Sequence, residues 1–147
     1  MHKVVVMSVV AGKYRHALDT KGRIIIPAKI KEQLGSPITV LRGSDKCLTL
    51  YSAEEWANYE ARFNDLPVTE LRKITRYIYS NSFVVTPDAQ GRVLLPQEML
   101  KYAGIEKNIV TVGCGRYAEI WSEDEWNAEN LDEAPEDFTA KLVELGL

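Results

Sequence analysis

The sequence predicts an α+β fold built from two copies of one small unit, and three observations carry that expectation. The segment Leu18-Asp19-Thr20-Lys21-Gly22-Arg23-Ile24-Ile25-Ile26-Pro27 returns as Pro87-Asp88-Ala89-Gln90-Gly91-Arg92-Val93-Leu94-Leu95-Pro96, sharing Asp-x-x-Gly-Arg, three aliphatic residues and Pro. The spacing continues outside the segment. Asp19/Asp88, Arg23/Arg92, Pro27/Pro96 and Gly35/Gly104 lie 69 residues apart, while Gly43/Gly113, Tyr51/Trp121, Ser52/Ser122, Glu55/Glu125 and Trp56/Trp126 lie 70 apart, as one inserted residue would produce. Thirdly, β-rich stretches and helix signals follow the same order in both copies. A two-unit repeat is a fold statement before it is a functional one.

Each unit opens with a strand, Lys13 to Leu18 or Phe83 to Pro87, that runs into a polar turn closing on glycine. In that turn the aspartate accepts hydrogen bonds from nearby amides, and Gly22 or Gly91 can take positive φ. A short apolar strand follows, Arg23 to Ile26 or Arg92 to Leu95. Proline then stops the strand and is expected at the first position of a helix, where its missing N–H costs nothing. These helices, Pro27 to Leu34 and Pro96 to Ala103, end at Gly35 and Gly104. Two further strands follow in each unit, Ile38 to Leu41 with Leu48 to Tyr51, and Ile109 to Val112 with Ala118 to Trp121. Their turns are Gly43 to Lys46 and Gly113 to Arg116. Ser52-x-x-Glu55 and Ser122-x-x-Glu125 are capping boxes that start a second helix. Trp56 and Trp126 on those helices are expected to cover the apolar face of each unit, because large aromatics dominate small cores.

Between the units, Leu66 to Asn81 reads as a structured connector. Leu71, Ile74 and Ile78 have amphipathic helical spacing, and Arg72, Lys73 and Arg76 lie on the other faces. The expected division is residues 10–58 for the first unit, 59–81 for the connector, 82–128 for the second unit and 129–147 for an acidic tail. That tail is interrupted at Pro135 and predicted to end in a short helix through Leu142 and Leu145. Met1 to Val10 reads as a first strand or a few frayed leading residues, its apolar stretch being too short for a signal peptide.

The 147 residues suit one domain or two small units sharing a core, and no apolar run reaches a membrane-spanning length. Cys47 and Cys114 are not equivalent in the repeat and belong to no Cys-x-x-Cys pair, so reduced thiols in a cytoplasm are expected. The net charge of -3 argues against a generally basic polyanion binder, but the charge is unevenly distributed. Lys3, Lys13, Arg15, Lys21, Arg23, Lys29 and Lys31 face only Asp19 and Glu32 before residue 35. From Glu119 onward the order reverses: Glu119, Glu123, Asp124, Glu125, Glu129, Asp132, Glu133, Glu136, Asp137 and Glu144 are opposed only by Lys141. Such a distribution can place one positive face on an acidic body.

No catalytic constellation emerges. The histidines are His2 and His16, and the second repeat has none. His16 lies near Asp19, and a hydrolase reading would have to be built on that pair, but a strand histidine without convergent partners reads as structural. Phosphate-binding loops, nucleophile elbows and metal motifs are absent. No cofactor, metal or small-molecule substrate is expected, and the chain does not read as an enzyme.

The Asp-x-x-Gly-Arg turn has two chemical readings. In one, an Asp–Arg ion pair pins the hairpin with a partly buried arginine. In the other, the arginine and the neighbouring bases Lys13, Arg15 and Lys21 form a surface facing nucleic acid. If the strands pair around the turn, Lys13 and Arg15 project from one face. The second copy has Gln90 in place of Lys21 and no bases where Lys13 and Arg15 stand, so the two hairpins should contribute unequally.

At these residues the chain resembles the SpoVT/AbrB superfamily, and its tandem arrangement resembles the MraZ family of transcriptional regulators. The resemblance rests on Asp19/Arg23 and Asp88/Arg92, each followed by strand, Pro and helix, and covers nearly the whole chain. It implies two tandem SpoVT/AbrB-like units forming an intrachain swapped-hairpin β-barrel with flanking helices. It also implies a homo-oligomeric ring that binds direct repeats in the promoter of the division and cell-wall gene cluster, commonly as a repressor. Carried over by position, Arg23 and Arg92 are the first candidates for DNA contact. Asp19 and Asp88, with Gly22 and Gly91, shape the turns and orient the arginines. Lys13, Arg15 and Lys21 join the DNA-binding set on charge and strand geometry. The expected protein is a cytoplasmic, nucleoid-associated regulator bound to double-stranded DNA. The rival expectation is a protein-interaction scaffold of the same fold, using its acidic C-terminal region.

Overall fold

The computed structural model describes residues 9–147; most of the expectation for Met1 to Val10 falls on residues 1–8, outside the described residues. The first unit runs β1 (Lys13–Ala17), β2 (Ile24–Ile25), α1 (Ala28–Leu34), β3 (Ile38–Arg42), β4 (Leu48–Ser52) and α2 (Ala53–Ala61). A 3₁₀ turn at Arg62–Asp65 and α3 (Val68–Ser80) lead to the second unit. There β5 (Ser82–Val85), β6 (Arg92–Val93), α4 (Gln97–Tyr102), β7 (Asn108–Gly113), β8 (Ala118–Ser122) and α5 (Glu123–Ala128) repeat the order. The chain closes with α6 (Phe138–Glu144).

The six-stranded sheet has the order β1-β7-β8-β4-β3-β5, and β2 pairs with β6 in a separate two-stranded ladder. All these pairings are antiparallel. Exchanging each strand for its repeat counterpart reverses the strand order and leaves it otherwise unchanged, so a pseudo-twofold axis passes between β8 and β4. The first strand of each unit is donated to the other: β1 pairs with β7 from Lys13↔Val112 to Ala17↔Asn108, and β5 pairs with β3 from Ile38↔Val85 to Leu41↔Ser82. This is the hairpin exchange implied by the family resemblance. Its hydrogen bonds form an open sheet and a short second ladder, because Pro27 and Pro96 end the second strands before they can extend across the opening.

The pairing changes two local expectations. β1 does not pair with β2 around the first turn. Only the turn itself closes, with Asp19 N donating to Arg23 O at 2.9 Å and Gly22 N to Asp19 O at 3.0 Å. The prolines also lie one residue before the first helical position. Pro27 (φ -52°, ψ 137°) and Pro96 (φ -56°, ψ 143°) retain extended backbone from the strands they stop. Each enters the helix through its carbonyl, which accepts from Lys31 N at 2.9 Å or Met99 N at 3.0 Å.

Strand alternation divides the core into three regions. Ile38 and Val40 of β3, Leu48 and Leu50 of β4, Ile109 of β7 and Ile120 of β8 point inward. They meet Ile24 of β2 and Val93 of β6, Ile26 and Leu95 shortly after those strands, and the buried faces of α1 and α4. Burying a side chain of this kind stabilises by about 1.5–3 kcal/mol, so a core drawn from both units holds the exchange closed. On the outer face, Leu41, Phe63 and Ile78 gather under α2 and α3. Val110, Val112, Trp121 and Trp126 gather under α5. Both tryptophans serve the packing role expected of them, with Trp56 half-buried 5.5 Å from the Tyr51 ring. Ser52 and Ser122 accept hydrogen bonds from Glu55 N and Glu125 N at 3.1 Å, so both predicted N-caps form.

Candidate nucleic-acid interface

The two Asp-x-x-Gly-Arg turns have nearly the same hydrogen bonds. In the first, Asp19 Oδ1 accepts from Lys21 N at 2.9 Å and Arg23 N at 2.8 Å, while Oδ2 accepts from Arg23 Nε at 2.6 Å. In the second, Asp88 Oδ1 accepts from Gln90 N at 3.0 Å and Arg92 N at 2.9 Å, and Oδ2 from Arg92 Nε at 2.6 Å. One carboxylate thus ties down the turn and sets the guanidinium plane through its Nε edge. Desolvation pushes the Asp19 carboxyl up, but the hydrogen bonds from Arg23 and Lys21 outweigh it and hold the acid below its ordinary range. Asp88 is also lowered, led by the Arg92 amide. Both arginines remain partly accessible, with side-chain exposures of 27% for Arg23 and 35% for Arg92. The ion-pair reading therefore holds without removing the arginines from the surface.

The turns differ in their support. Gly22 and Gly91 both have positive φ, 74° and 82°. A Cβ on Gly22 would meet nothing within 4 Å, whereas one on Gly91 would lie 2.6 Å from the Ile26 carbonyl oxygen. Ile26 N also donates to Gly91 O at 2.8 Å. Lys31 of α1 reaches across the exchange and donates through Nζ to Asp88 O at 2.9 Å and Ala89 O at 3.3 Å. The second turn is therefore clasped by the opposite unit, while the first stands more freely and carries the exposed Lys21. Lys31 was not among the expected site residues, because its partner lies 57 positions away and it has no basic counterpart in the second repeat.

Lys21 and Arg23 share one turn, but Lys13 and Arg15 belong to another environment. They lie on β1 and face the acidic segment after α5. Lys13 Nζ lies 2.5 Å from Asp132 Oδ1, Arg15 Nη2 bonds Asp132 Oδ2, and Arg15 Nη1 lies 3.7 Å from Glu123 Oε2. The positive strip inferred from the first hairpin is thus largely neutralised within the chain. Asp132 and Glu123 had been legible only as part of a general acidic excess.

His16 does not join Asp19. Its Nε2 lies 2.8 Å from the Oγ1 of Thr111, a fully buried residue on β7, while Arg23 occupies the Asp19 carboxylate. Burial lowers the His16 pKa below the ordinary 6.5. The unfolded chain consequently takes up this proton first, so His16 removes stability as pH falls below 6.5 and costs nothing above it. In urea unfolding across that window, His16→Gln is expected to flatten the pH dependence. Asp19, Asp88 and Asp132 act only lower down, losing their contributions as pH falls below 3.8. An unchanged slope between pH 6.5 and 5 would show that the imidazole is not protonated at different pH in the two states.

Cys47 and Cys114 are free and donate to the two oxygens of Glu119 at 3.5 Å and 3.6 Å. Burial pushes the Cys114 thiol up to about 12 and raises Cys47 as well, disfavouring reactive thiolates. Among the described residues, no cluster of three or more His, Cys, Asp or Glu could hold a metal, and no helix is long and apolar enough to cross a membrane.

Two interlocked α+β units presenting paired Asp–Arg turns define a tandem, hairpin-exchanged protein of the kind the resemblance implies. The family model for the MraZ protein matches residues 9–75 and 78–144, and the chain belongs to the MraZ family. It is 39% identical over 140 residues to the transcriptional regulator MraZ of Acetivibrio thermocellus, covering 92% of this chain and 98% of the relative. The protein of the same name from Clostridium tetani is 40% identical over 141 residues, and that from Clostridium beijerinckii 41% over 139, with the same coverage.

Proposed function

We propose that this chain is a transcriptional regulator that binds duplex DNA sequence-specifically through its paired turns, acting without cofactor. The observation that carries this reading is the shared 2.6 Å Asp–Arg Nε contact in both turns, which orients each guanidinium while leaving it partly accessible. Among the described residues, neither terminal nitrogen of Arg23 has a hydrogen-bond partner, and Arg92 Nη2 has only Gln90 Oε1 at 3.3 Å. A planar donor pair of this type suits the O6 and N7 edge of guanine in the major groove. Lys21 supplies a phosphate contact beside the first arginine. The naming of the relatives as transcriptional regulators supports the same reading.

The target is the promoter of the division and cell-wall gene cluster, where the protein acts on the nucleoid in the cytoplasm as a repressor. A homo-oligomeric ring engages direct repeats there, each copy binding weakly. The sheet edge at β5 supports self-association, because Phe83 and Val84 are 40% and 62% exposed and natural proteins cover apolar, unpaired edges. Linked sites raise avidity by about 10²–10⁴-fold when the geometry permits simultaneous engagement. A duplex with several in-phase repeats from the chain's own upstream region is therefore expected to bind at least tens of times more tightly than a single repeat. Titration at two salt concentrations, with mass measured in parallel, checks this. Affinity independent of repeat number would refute ring avidity, and equal affinity for scrambled duplex would refute specific recognition.

A further inference from the structure

We infer that the acidic segment following α5 is an internal competitor for DNA, with Asp132 occupying the two cations of β1 that would otherwise contact backbone phosphates. This rests on the DNA-binding reading above. Lys13 and Arg15 alternate on β1, opposite Val112 and Val110, and so share the outer face on which Trp126 packs. Asn130, with φ 52°, turns the chain after α5, and Leu131 N donates to Trp126 O at 3.3 Å. This turn brings Asp132 to the Nε1 edge of the Trp126 indole, which donates to Oδ1 at 3.0 Å. A carboxylate fixed in this way spans both cations, and Glu123 adds a second anion to Arg15.

The repeat shows that this arrangement is specific to one side of the molecule. Lys13 and Arg15 correspond at a spacing of 69 to Ser82 and Val84, while Asp132 corresponds at a spacing of 70 to Arg62. Where the exchanged strand has no cations, the anion is missing too. The contact is also exchangeable. Side-chain exposures are 46% and 39% for Lys13 and Asp132, and both members of the Arg15–Asp132 pair are 39% exposed. Ion pairs this open to solvent contribute little to stability, and a phosphate presents the same charge to the same donors. The acid therefore withholds both cations from any DNA backbone while it stays in place, and its removal would free them for phosphate.

The test compares wild type with Asp132→Asn on the chain's own upstream duplex and on a scrambled duplex of equal length. Asp132→Asn is expected to bind both about three- to tenfold more tightly at low salt, with a steeper salt dependence by up to about two, because two more phosphates are neutralised. Adding Lys13→Ala and Arg15→Ala to that variant should remove the gain. The same pair of substitutions in wild type should change affinity less than about twofold, since those cations are already occupied. A gain that survives removal of Lys13 and Arg15, or is matched by Glu136→Gln, an acid that pairs with no cation among the described residues, would reduce the effect to net charge and overturn the inference. So would a tenfold loss for Lys13→Ala, Arg15→Ala in wild type, a measurement that does not depend on how well Asp132→Asn folds. Loss of preference for upstream over scrambled duplex in wild type would instead refute specific regulation, while the masking would still be judged by the gain on both duplexes.

Discussion

Arg23→Ala and Arg92→Ala are each expected to weaken binding to the upstream duplex by about ten- to a hundredfold, the range for losing a good bidentate base contact. Binding to scrambled duplex should change much less, so the specificity ratio, rather than affinity alone, is the quantity to measure. The fold should survive. Each arginine is partly accessible, and each pairs with an aspartate of its own turn rather than with a group of the core. Melting temperature and oligomer mass should therefore remain close to wild type. Arg→Lys should fail almost as badly as Arg→Ala in specificity, because a lysine has no planar fork to present. Replacing Asp19 by Ala should resemble Arg23→Ala in binding but also loosen the turn, since the carboxylate holds both Lys21 N and Arg23 N. If Arg23→Ala and Arg92→Ala lower affinity equally for every duplex, the arginines contact phosphate and sequence is read elsewhere. If they unfold the protein, the ion pair is their whole role.

Gly91→Ala is expected to be the most damaging small substitution in either turn, and Gly22→Ala a mild one. Both introduce a Cβ at positive φ, a strain of about 1–3 kcal/mol. At Gly22 the new methyl enters open space, so the cost should stay near the lower limit, roughly 2–4 °C in melting temperature. At Gly91 it would lie 2.6 Å from the carbonyl oxygen of Ile26, a residue 1% exposed within the central core. Backbone there cannot withdraw without parting the β2–β6 ladder, where Ile25 faces Arg92 and Ile24 faces Val93. A loss of at least about 3 kcal/mol, roughly 6–12 °C, follows from strain and clash together. Thermal melts of the two variants side by side decide the matter. Equal melting temperatures would show that the second turn is not clasped by the first unit.

The pair of glycines also shows where sequence reading stops. Gly22 and Gly91 occupy the same place in the same motif, and their positive φ was legible from turn chemistry. Their different surroundings were not, because Ile26 and Lys31 reach Gly91 and its turn from the opposite unit. Lys13 and Arg15 make the same point in charge. Strand alternation correctly put them on one face, but the partner of Lys13 lies 119 positions away in a segment that read only as acidic. The inequality of the two hairpins consequently changes character. With Lys13 and Arg15 occupied, what separates the turns is Lys21 against Gln90, and an open turn against a clasped one.

Local chemistry was sufficient for the repeat, its strand and helix order, the aspartate-centred turns and the serine caps. Each depends on hydrogen bonds or apolar contacts within a few residues, and therefore leaves a pattern in the chain. Folding in three dimensions chose the partners: β1 with β7, β5 with β3, Asp132 with two cations of β1, and Lys31 with a turn of the other unit. Such choices come from burying one core drawn from both units and from Coulomb attraction between residues far apart in sequence, neither of which has a spacing that can be read along the chain.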